Sequence, residues 1–362
     1  DMLYVTVRTS EACANSNTAF YASKVYEKFL MRKIIVKAEE VKEKAQGNSD
    51  NIYTIIGQAH SLFGELLNIR PTVSSDINKV IEDTLDSIKN KDSKLIKTGY
   101  KSLDKFAGGL TRGEITIVGG RPGHGKTTVL INILANVLDA GHKAMFFSRE
   151  LPNSELLKKL ICLESQELSY SMVRKNVFNN NDLEKINETL GLIKRKYSGD
   201  KFLMFDNIRD FAVSAGEVKK FKPDIIFDDY IQLISYEGKE DQRRLQIEQL
   251  VNDYKWLAKE TGAVVVLASQ LNRGVEYRGK KYEPQLSDLA ESGAIEQVAE
   301  NVFFAYYDYK VQGERGKGKN VLTMSAGKVR YGDSGSVDLG YQGDQCKIFN
   351  SIEEMIDGKI PF

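Results

Sequence analysis

The sequence predicts an α/β protein, in which a mostly parallel sheet flanked by helices follows a small all-α helical hairpin and a linker helix. From residue 98 onward, apolar runs of strand length alternate with helical patterns, and such alternation is typical of parallel sheets. Residues 20–46 contain neither Gly nor Pro, as expected of a long helix. A glycine-rich stretch at residues 120–127 separates a strand pattern from a helix pattern, which is the context of a phosphate-binding loop.

The first 70 residues are predicted to form a domain of two packed helices. In the first helix, Tyr21, Val25 and Phe29 follow one another at intervals of four residues, so they share one face. Residues 47–50 break that pattern, and residues 52–67 predict a second helix that packs back on the first.

A linker is predicted at residues 71–97, between the hairpin and the main domain. Within it, residues 76–88 predict a short amphipathic helix, because their apolar side chains fall on one side. The main domain is expected to span residues 98–362.

Seven apolar runs in the main domain have the length of strands. They are residues 115–118, 144–147, 202–205, 225–227, 264–268, 302–306 and 321–325. The clearest helical pattern precedes the fifth run, where Ile247, Leu250, Val251 and Tyr254 follow helical spacing and Gly262 stands at the end.

Composition limits the class of protein and the compartment. The 362 residues are enough for about two domains, and the formal net charge is +1, so any surface for nucleic acid must be local. Cys13, Cys162 and Cys346 are far apart and fit no metal-binding spacing, which indicates a reducing compartment. No stretch is apolar enough for a membrane span and the start does not resemble a signal peptide, so the cytoplasm is the expected location.

Residues 120–127 read Gly-Arg-Pro-Gly-His-Gly-Lys-Thr, the pattern of a loop that binds nucleoside triphosphate with Mg²⁺. Glycines let successive backbone N–H groups surround a phosphate, Lys126 reaches the terminal phosphates, and the Thr127 hydroxyl binds the metal. His124 is expected to be an exposed loop residue rather than a catalyst. The residues expected to contact the nucleotide are Gly120, Arg121, Pro122, Gly123, His124, Gly125, Lys126, Thr127 and Thr128.

An acidic partner for the metal is expected at the end of the strand pattern at 224–230. Two carboxylates, Asp228 and Asp229, end this run, and the carboxyl ends of parallel strands lie beside the phosphate loop. Either of them could face the metal, and the alternative is that both only cap the strand.

Two further polar residues end neighbouring strand patterns. Glu150 follows the strand after the phosphate loop and is the candidate general base for the attacking water. Gln270 ends another strand and is placed to hydrogen-bond the γ-phosphate or its water. The segment 273–281 that follows is basic and contains Tyr277, which suits a nucleic-acid backbone, although a solvated surface loop is an equal alternative.

The ordered set of motifs resembles the DnaB-type hexameric replicative helicases, from about residue 12 to residue 340. The family's markers are matched at residues 98–104, 108–110, 120–127, 148–150, 229–233, 269–273, 286–297 and 328–332. The most specific of them are Ser-Gln-Leu-Asn-Arg at 269–273 and Glu-Ser-Gly-Ala-Ile-Glu-Gln at 291–297.

The resemblance implies a RecA-like P-loop ATPase domain and a role for each site residue. It makes Glu150 the catalytic base and selects Asp229, rather than Asp228, as the metal ligand. It implies that Lys328 and Arg330 act in trans on the γ-phosphate held by the neighbouring subunit. ATP and Mg²⁺ are the implied cofactors.

The resemblance also implies a single-stranded DNA channel lined by two segments, one around residues 236–244 and one at 273–295. The residues expected to contact DNA are Arg273, Arg278, Lys280, Lys281, Glu291 and Gly293. At the family's Arg position in the second segment this chain has Ala290, so one expected charge is missing, and the Arg and Lys residues just named are expected to compensate. Smaller departures are Gly120, Gly123, His124 and Arg149, where Ala, Ser, Met and Leu are more usual.

Residues 12–70 resemble only the helical-hairpin half of the family's amino-terminal domain. The globular half is therefore expected to be absent, either because the sequence is truncated or because the chain is a diverged, viral member. Residues 76–88 match the linker helix that docks on the adjacent motor domain.

The implied function is an ATP-driven, ring-forming helicase that moves 5′→3′ on single-stranded DNA and unwinds the replication fork. Its implied partners are fork DNA, further copies of the chain in a hexameric ring, a primase and a helicase loader, with no membrane. Two alternatives share the ATP site: a RecA-like recombinase filament, and a non-motor ATP switch that assembles a partner.

Overall fold

The computed structural model describes residues 18–47, 77–89, 95–165, 167–197, 199–235, 243–278, 283–289 and 293–357, with four isolated positions at 55, 57, 59 and 62. The chain divides into two compact units, Asp1–Val80 and Ile81–Phe362. In the part of the predicted second helix that is described, all four positions are helical, and the rest of it lies outside the described residues. The predicted domain boundaries stay a prediction.

Helices make up the described part of the first unit and both layers around the sheet of the second. In chain order they are α1 (Thr18–Gln46), α2 (Ile77–Lys89), α3 (Lys101–Ala107), α4 (Lys126–Asp139), α5 (Asn153–Ser165), α6 (Tyr170–Lys175), α7 (Asn180–Tyr197), α8 (Phe211–Phe221), α9 (Arg243–Thr261), α10 (Gly293–Val298), α11 (Tyr309–Gln312) and α12 (Ile352–Asp357). Short 3-10 turns lie at Ile231–Leu233, Arg273–Arg278, Leu286–Asp288, Gly313–Arg315 and Gly343–Gln345. Within the described ranges, none of these helices is both long and apolar enough to cross a lipid bilayer.

The strands form a nine-stranded sheet and a separate antiparallel pair. They are β1 (Leu95–Ile96), β2 (Leu110–Thr111), β3 (Ile115–Gly120), β4 (Ala144–Ser148), β5 (Phe202–Phe205), β6 (Ile225–Asp229), β7 (Val264–Gln270), β8 (Asn301–Tyr306), β9 (Val321–Val329), β10 (Gly335–Gln342) and β11 (Lys347–Phe349). The order of the large sheet is β11-β10-β9-β8-β3-β7-β6-β4-β5, and β1 pairs with β2.

All seven predicted strands are present, and the six from β8 to β5 run parallel. The predicted α/β class with a mostly parallel sheet is therefore confirmed. The sequence did not predict β1, β2, β10 or β11. Strand β10, at the antiparallel side of the sheet, alternates half-buried and exposed positions in its first half and contains two glycines, so it lacks the continuous apolar run that marks the parallel strands.

Two apolar cores cover the two faces of the sheet. Neighbouring residues on one strand point to opposite faces: Val118 packs into the core with α4, and Ile117 into the core with α9. Burial on both faces explains why the parallel strands read as continuous apolar runs. The polar ends of β3, β4, β6 and β7 then emerge together at one edge of the sheet.

Candidate active site

The phosphate-loop pattern forms the connection between β3 and α4. β3 ends at Gly120 and α4 begins at Lys126, so the helix amino terminus points its free N–H groups into the loop. Gly123 and Gly125 have φ angles of 75° and 89°, a region in which side chains other than glycine are strained. These two glycines allow the tight turn that the sequence predicts.

Lys126 and Arg121 tie the loop to itself and to the neighbouring strand. The Lys126 Nζ donates to the carbonyl oxygens of Gly120 at 2.9 Å and Arg121 at 3.4 Å. Arg121 donates to the Leu271 carbonyl at 2.9 Å, just beyond β7. Burial lowers the pKa of Lys126, and the carboxylates of Asp229 and Glu150 oppose that shift.

His124 lies inside the protein, so the prediction of an exposed loop residue was wrong. It is 4% exposed, and its Nδ1 accepts a hydrogen bond from the Tyr307 backbone N–H at 3.2 Å. Its ring also stacks on Tyr306, with centroids 6.0 Å apart. The segment that follows β8 covers this part of the loop, and the local sequence around His124 carries no sign of that long-range contact.

Asp229 and Thr127 face each other across the loop. The Thr127 hydroxyl donates to Asp229 Oδ2 at 2.6 Å. Asp229 is 2% exposed, and its Oδ1 has no hydrogen-bond partner among the described residues. A buried carboxylate oxygen without a partner is costly, and a cation beside it would remove that cost.

Asp228 has a different environment from Asp229. The strand pattern left open which of the two carboxylates binds the metal, and the structure distinguishes them. Asp228 is fully buried and accepts from Arg149 Nε at 3.0 Å and from a second guanidinium nitrogen at 2.6 Å. The Tyr254 hydroxyl also donates to it. Its oxygens are occupied by these contacts, so the geometry favours Asp229 as the metal ligand.

These residues fit a magnesium ion. Mg²⁺ prefers hard oxygen ligands, and it is commonly held by one or two protein groups together with nucleotide phosphates. The Thr127 hydroxyl and the unpartnered Asp229 oxygen are such groups. Among the described residues no cluster of three or more His, Cys, Asp or Glu side chains could hold a metal. A metal at this site would therefore depend on the nucleotide for its other ligands.

The burial of Asp229 gives a testable dependence of stability on pH. Desolvation raises the pKa of Asp229 from its ordinary 3.8 to about 6. Because the folded pKa is the higher one, the contribution of Asp229 to stability is fully present below pH 4 and falls as pH rises to about 6. Two pKa units correspond to a loss of about 3 kcal/mol.

The measurement is the free energy of unfolding by chemical denaturation at pH 4 and at pH 7, without nucleotide or metal. The loss between the two pH values should be larger in the wild-type chain than in Asp229→Asn. Residue 229 cannot titrate in the variant, so subtracting its change removes the contributions of all other groups. An equal change in both chains would contradict the prediction.

Glu150 and Gln270 lie at the same edge of the sheet as the loop. Ser148, two residues before Glu150, pairs with Asp229 in the register of β4 and β6, and Glu150 is exposed. Gln270 pairs with Gly120 at the ends of β7 and β3. Sequence reasoning missed Gln232, whose Oε1 accepts from the Gln270 backbone N–H at 3.3 Å and whose Nε2 donates to Ser269 at 3.0 Å.

Lys328 and Arg330 lie at the opposite edge of the sheet. Arg330 N donates to the Glu300 carbonyl, and Glu300 N donates to the Ile115 carbonyl, so Arg330 is level with the first residue of β3. The phosphate loop begins at the other end of β3, at Gly120. Those five residue steps correspond to about 16 Å along the strand. Arg330 therefore cannot reach the phosphate loop of its own chain.

Glu300 holds Arg330, and sequence reasoning did not identify it. The carboxylate is 2% exposed and accepts from Arg330 at 3.2 Å, from Lys255 at 2.6 Å and from the Ile115 backbone at 3.0 Å. The Arg330 side chain remains 55% exposed. Lys328 Nζ donates to the Glu296 carbonyl at 2.6 Å. Both side chains are thus held by hydrogen bonds within the chain, and Arg330 is the more exposed of the two.

The residues predicted to contact DNA are only partly described. Arg273 is exposed at the start of a 3-10 turn that ends at Arg278, and Gly293 begins α10. Lys280, Lys281 and Glu291 lie outside the described residues. Arg244, which the sequence prediction placed at the end of the first DNA segment, comes close to Gly293: a Cβ there would be 3.2 Å from its guanidinium.

Comparisons with known proteins agree on one family. The model of the DnaB-like helicase C-terminal domain matches residues 96–350. The replicative DNA helicase DnaC of Bacillus subtilis (strain 168) is 28% identical over 99% of this chain and 80% of its own length. The replicative DNA helicase DnaB of Haemophilus influenzae is 30% identical over 93% of this chain and 75% of its own length.

Solved structures give the same result. A DnaB-like replicative helicase, described with its interactions with primase, matches 96% of this chain and 82% of its own with a TM-score of 0.72 and 25% identity. A second solved structure, of an ATPase domain, matches 77% of this chain and 99% of its own with a TM-score of 0.69 and 27% identity. The RecA-like fold class predicted from the motifs is confirmed. The chain therefore belongs to the DnaB-like helicase family of ATP-dependent replicative DNA helicases.

Proposed function

We propose that this chain is the motor subunit of a ring that hydrolyses Mg-ATP between adjacent copies and moves 5′→3′ along single-stranded DNA. The observation that carries this proposal is the separation of the site residues within one chain. Lys126, Thr127, Glu150 and Asp229 gather at one edge of the sheet, and Arg330 projects from the opposite edge. A nucleotide bound by the four residues at the first edge therefore needs a second copy of the chain to supply Arg330.

In the proposed site, the loop of one copy binds the phosphates, and the neighbouring copy supplies further positive charge. The loop N–H groups and Lys126 hold the β- and γ-phosphates, because they present converging donors and a cation. Glu150 orients and deprotonates the attacking water. Lys328 and Arg330 of the adjacent copy face the γ-phosphate, where negative charge gathers in the transition state.

Thr127 and Asp229 are the residues that would hold Mg²⁺. Held there, the ion would supply positive charge that offsets the charge of the phosphates. The chain's own contribution is to hold the Thr127 hydroxyl 2.6 Å from Asp229 Oδ2, which leaves Oδ1 of the buried Asp229 without a partner among the described residues. Gln270, on the strand beside the loop, is placed to sense the γ-phosphate and to transmit its loss to the segment that follows.

The exposed apolar side chains of α1 and α2 support assembly of several copies. Along α2, Ile77, Ile81, Leu85 and Ile88 repeat at helical spacing and are each about half exposed or more. Such a row is costly in water and marks a contact surface. We propose that α2 docks on the adjacent motor domain in a hexameric ring, with α1 part of an amino-terminal collar.

The DNA path is proposed to run along the two segments near residues 236–244 and 273–295. Arg273, Arg278, Lys280, Lys281, Glu291 and Gly293 remain the proposed contacts, through side-chain charge and backbone amides. A primase and a loader are the proposed protein partners, since the structural relative named above is described with primase.

Unwinding of forked DNA, with each single-stranded tail blocked in turn, tests the proposal. We expect ATP-dependent strand separation that survives a blocked 3′ tail and stops with a blocked 5′ tail. Lys126→Ala is the matched control, because it should assemble but not hydrolyse ATP. Unwinding from the 3′ tail would contradict the polarity. Open filaments in electron micrographs, or ATP-controlled partner binding without unwinding, would replace the helicase by one of the alternatives.

A further inference from the structure

A segment that directly follows β8 holds the phosphate loop from outside at two points. We call residues 307–310 the loop-holding segment. The Tyr307 backbone N–H donates to His124 Nδ1 at 3.2 Å. The Lys310 ammonium, on α11, donates to the Pro122 carbonyl at 2.6 Å. Both acceptors belong to the phosphate loop, and because both atoms accept hydrogen bonds, neither donates to a phosphate.

Gly123 is the residue that admits Lys310. A Cβ at position 123 would lie 1.9 Å from the Lys310 Nζ, closer than any real contact. The glycine also has a φ of 75°. The loop therefore combines a residue of high conformational freedom with a cation that occupies the space its missing side chain leaves.

From these contacts we propose that Lys310 is a positioning residue for ATP binding, which holds the empty phosphate loop in the shape that receives the phosphates. A loop that is already ordered loses less conformational entropy when the nucleotide binds, so affinity rises without a contact to the nucleotide itself. This inference rests on the proposed function, because it concerns the same ATP site.

The position of Lys310 separates this role from a purely structural one. Lys310 is exposed, and its hydrogen bond to Pro122 lies at the surface. Removing the ammonium should therefore leave the folded domain as stable as before and act only on the loop. The effect should appear in the dissociation constant for ATP and not in the thermal midpoint of the nucleotide-free protein.

Equilibrium binding of ATP with Mg²⁺ to the full chain tests the proposal. We expect Lys310→Met to raise the dissociation constant about fivefold, as for the loss of one charge-assisted hydrogen bond at the surface. Lys310→Arg should restore most of the affinity. Lys194→Met, which removes an exposed cation on α7, is the control and should bind as the wild type does.

A double-mutant cycle with Gly123→Ala makes the test specific. Alanine at this position is strained and displaces the ammonium, so the single variant already lacks the contact. Lys310→Met should then add almost nothing in the Gly123→Ala background, because the two changes remove the same interaction. A fivefold effect in both backgrounds would overturn the positioning role, as would wild-type affinity in Lys310→Met. Failure of the wild-type chain to bind ATP would instead overturn the proposed function.

Discussion

Replacing Arg330 by alanine is expected to lower kcat for ATP hydrolysis about 10³-fold, the lower end of what an arginine acting in trans contributes. Arg330 lies at the far edge of the sheet from its own phosphate loop, so in the proposed ring the lost charge is one supplied to the neighbour's site. Binding of ATP to the loop should change little. The comparison is Arg195→Ala, which removes an exposed guanidinium from α7 and should hydrolyse ATP normally.

Complementation shows whether the effect crosses a subunit boundary. Lys126→Ala and Arg330→Ala chains are each expected to be inactive alone. When they are co-expressed in equal amounts, about a quarter of the head-to-tail boundaries should pair an intact loop with an intact arginine. ATP hydrolysis should return to about that fraction of the wild-type rate. No recovery in rings shown to contain both chains would mean that Arg330 does not complete a neighbour's site.

Replacing Arg149 by methionine is expected to cost about 3–5 kcal/mol in free energy of unfolding, because it leaves the carboxylate of Asp228 buried and unpaired. The guanidinium side chain is 2% exposed, binds Asp228 through two nitrogens, and donates to Ser214 at 2.9 Å. Burial lowers the pKa of Arg149, but the charge and hydrogen bonds of Asp228 outweigh this and raise it. Urea unfolding measures the loss.

The double variant Arg149→Met with Asp228→Asn should recover most of that stability, since it removes the charge but keeps an acceptor for the Tyr254 hydroxyl. Arg174→Met is the matched control. Arg174 faces Glu155 at 3.8 Å from an exposed position, so its loss should cost less than about 1 kcal/mol. Equal losses in Arg149→Met and Arg174→Met would contradict the assignment of a buried ion pair.

The same pair shows what the sequence could and could not reveal. Apolar runs predicted every parallel strand, because the burial of most of their positions on both faces favours apolar side chains. The carboxyl ends of those strands were expected to lie beside the phosphate loop, and Asp229, at the end of β6, does contact Thr127. The different environments of Asp228 and Asp229 arise because Arg149 and Tyr254, which are distant in sequence, donate to Asp228. The strand pattern alone could not predict this difference.

Long-range contacts account for the other differences. His124 is buried by Tyr306 and Tyr307, and Arg330 is held by Glu300; neither contact has a local pattern. The antiparallel strands β10 and β11 escaped prediction because β11 is short and β10 carries glycine and polar residues.

Strand β8 connects two parts of the chain that would contribute, in the proposed ring, to two different nucleotide sites. Just before it, Glu300 holds the arginine proposed to act at the neighbour's site, and just after it, the Tyr307 backbone N–H donates to the chain's own phosphate loop. Its six residues span about 20 Å. Each copy would then receive an arginine from the neighbour on one side and supply its own Arg330 to the neighbour on the other side. The proposed ring would therefore have a fixed rotational sense, clockwise or anticlockwise, even without DNA.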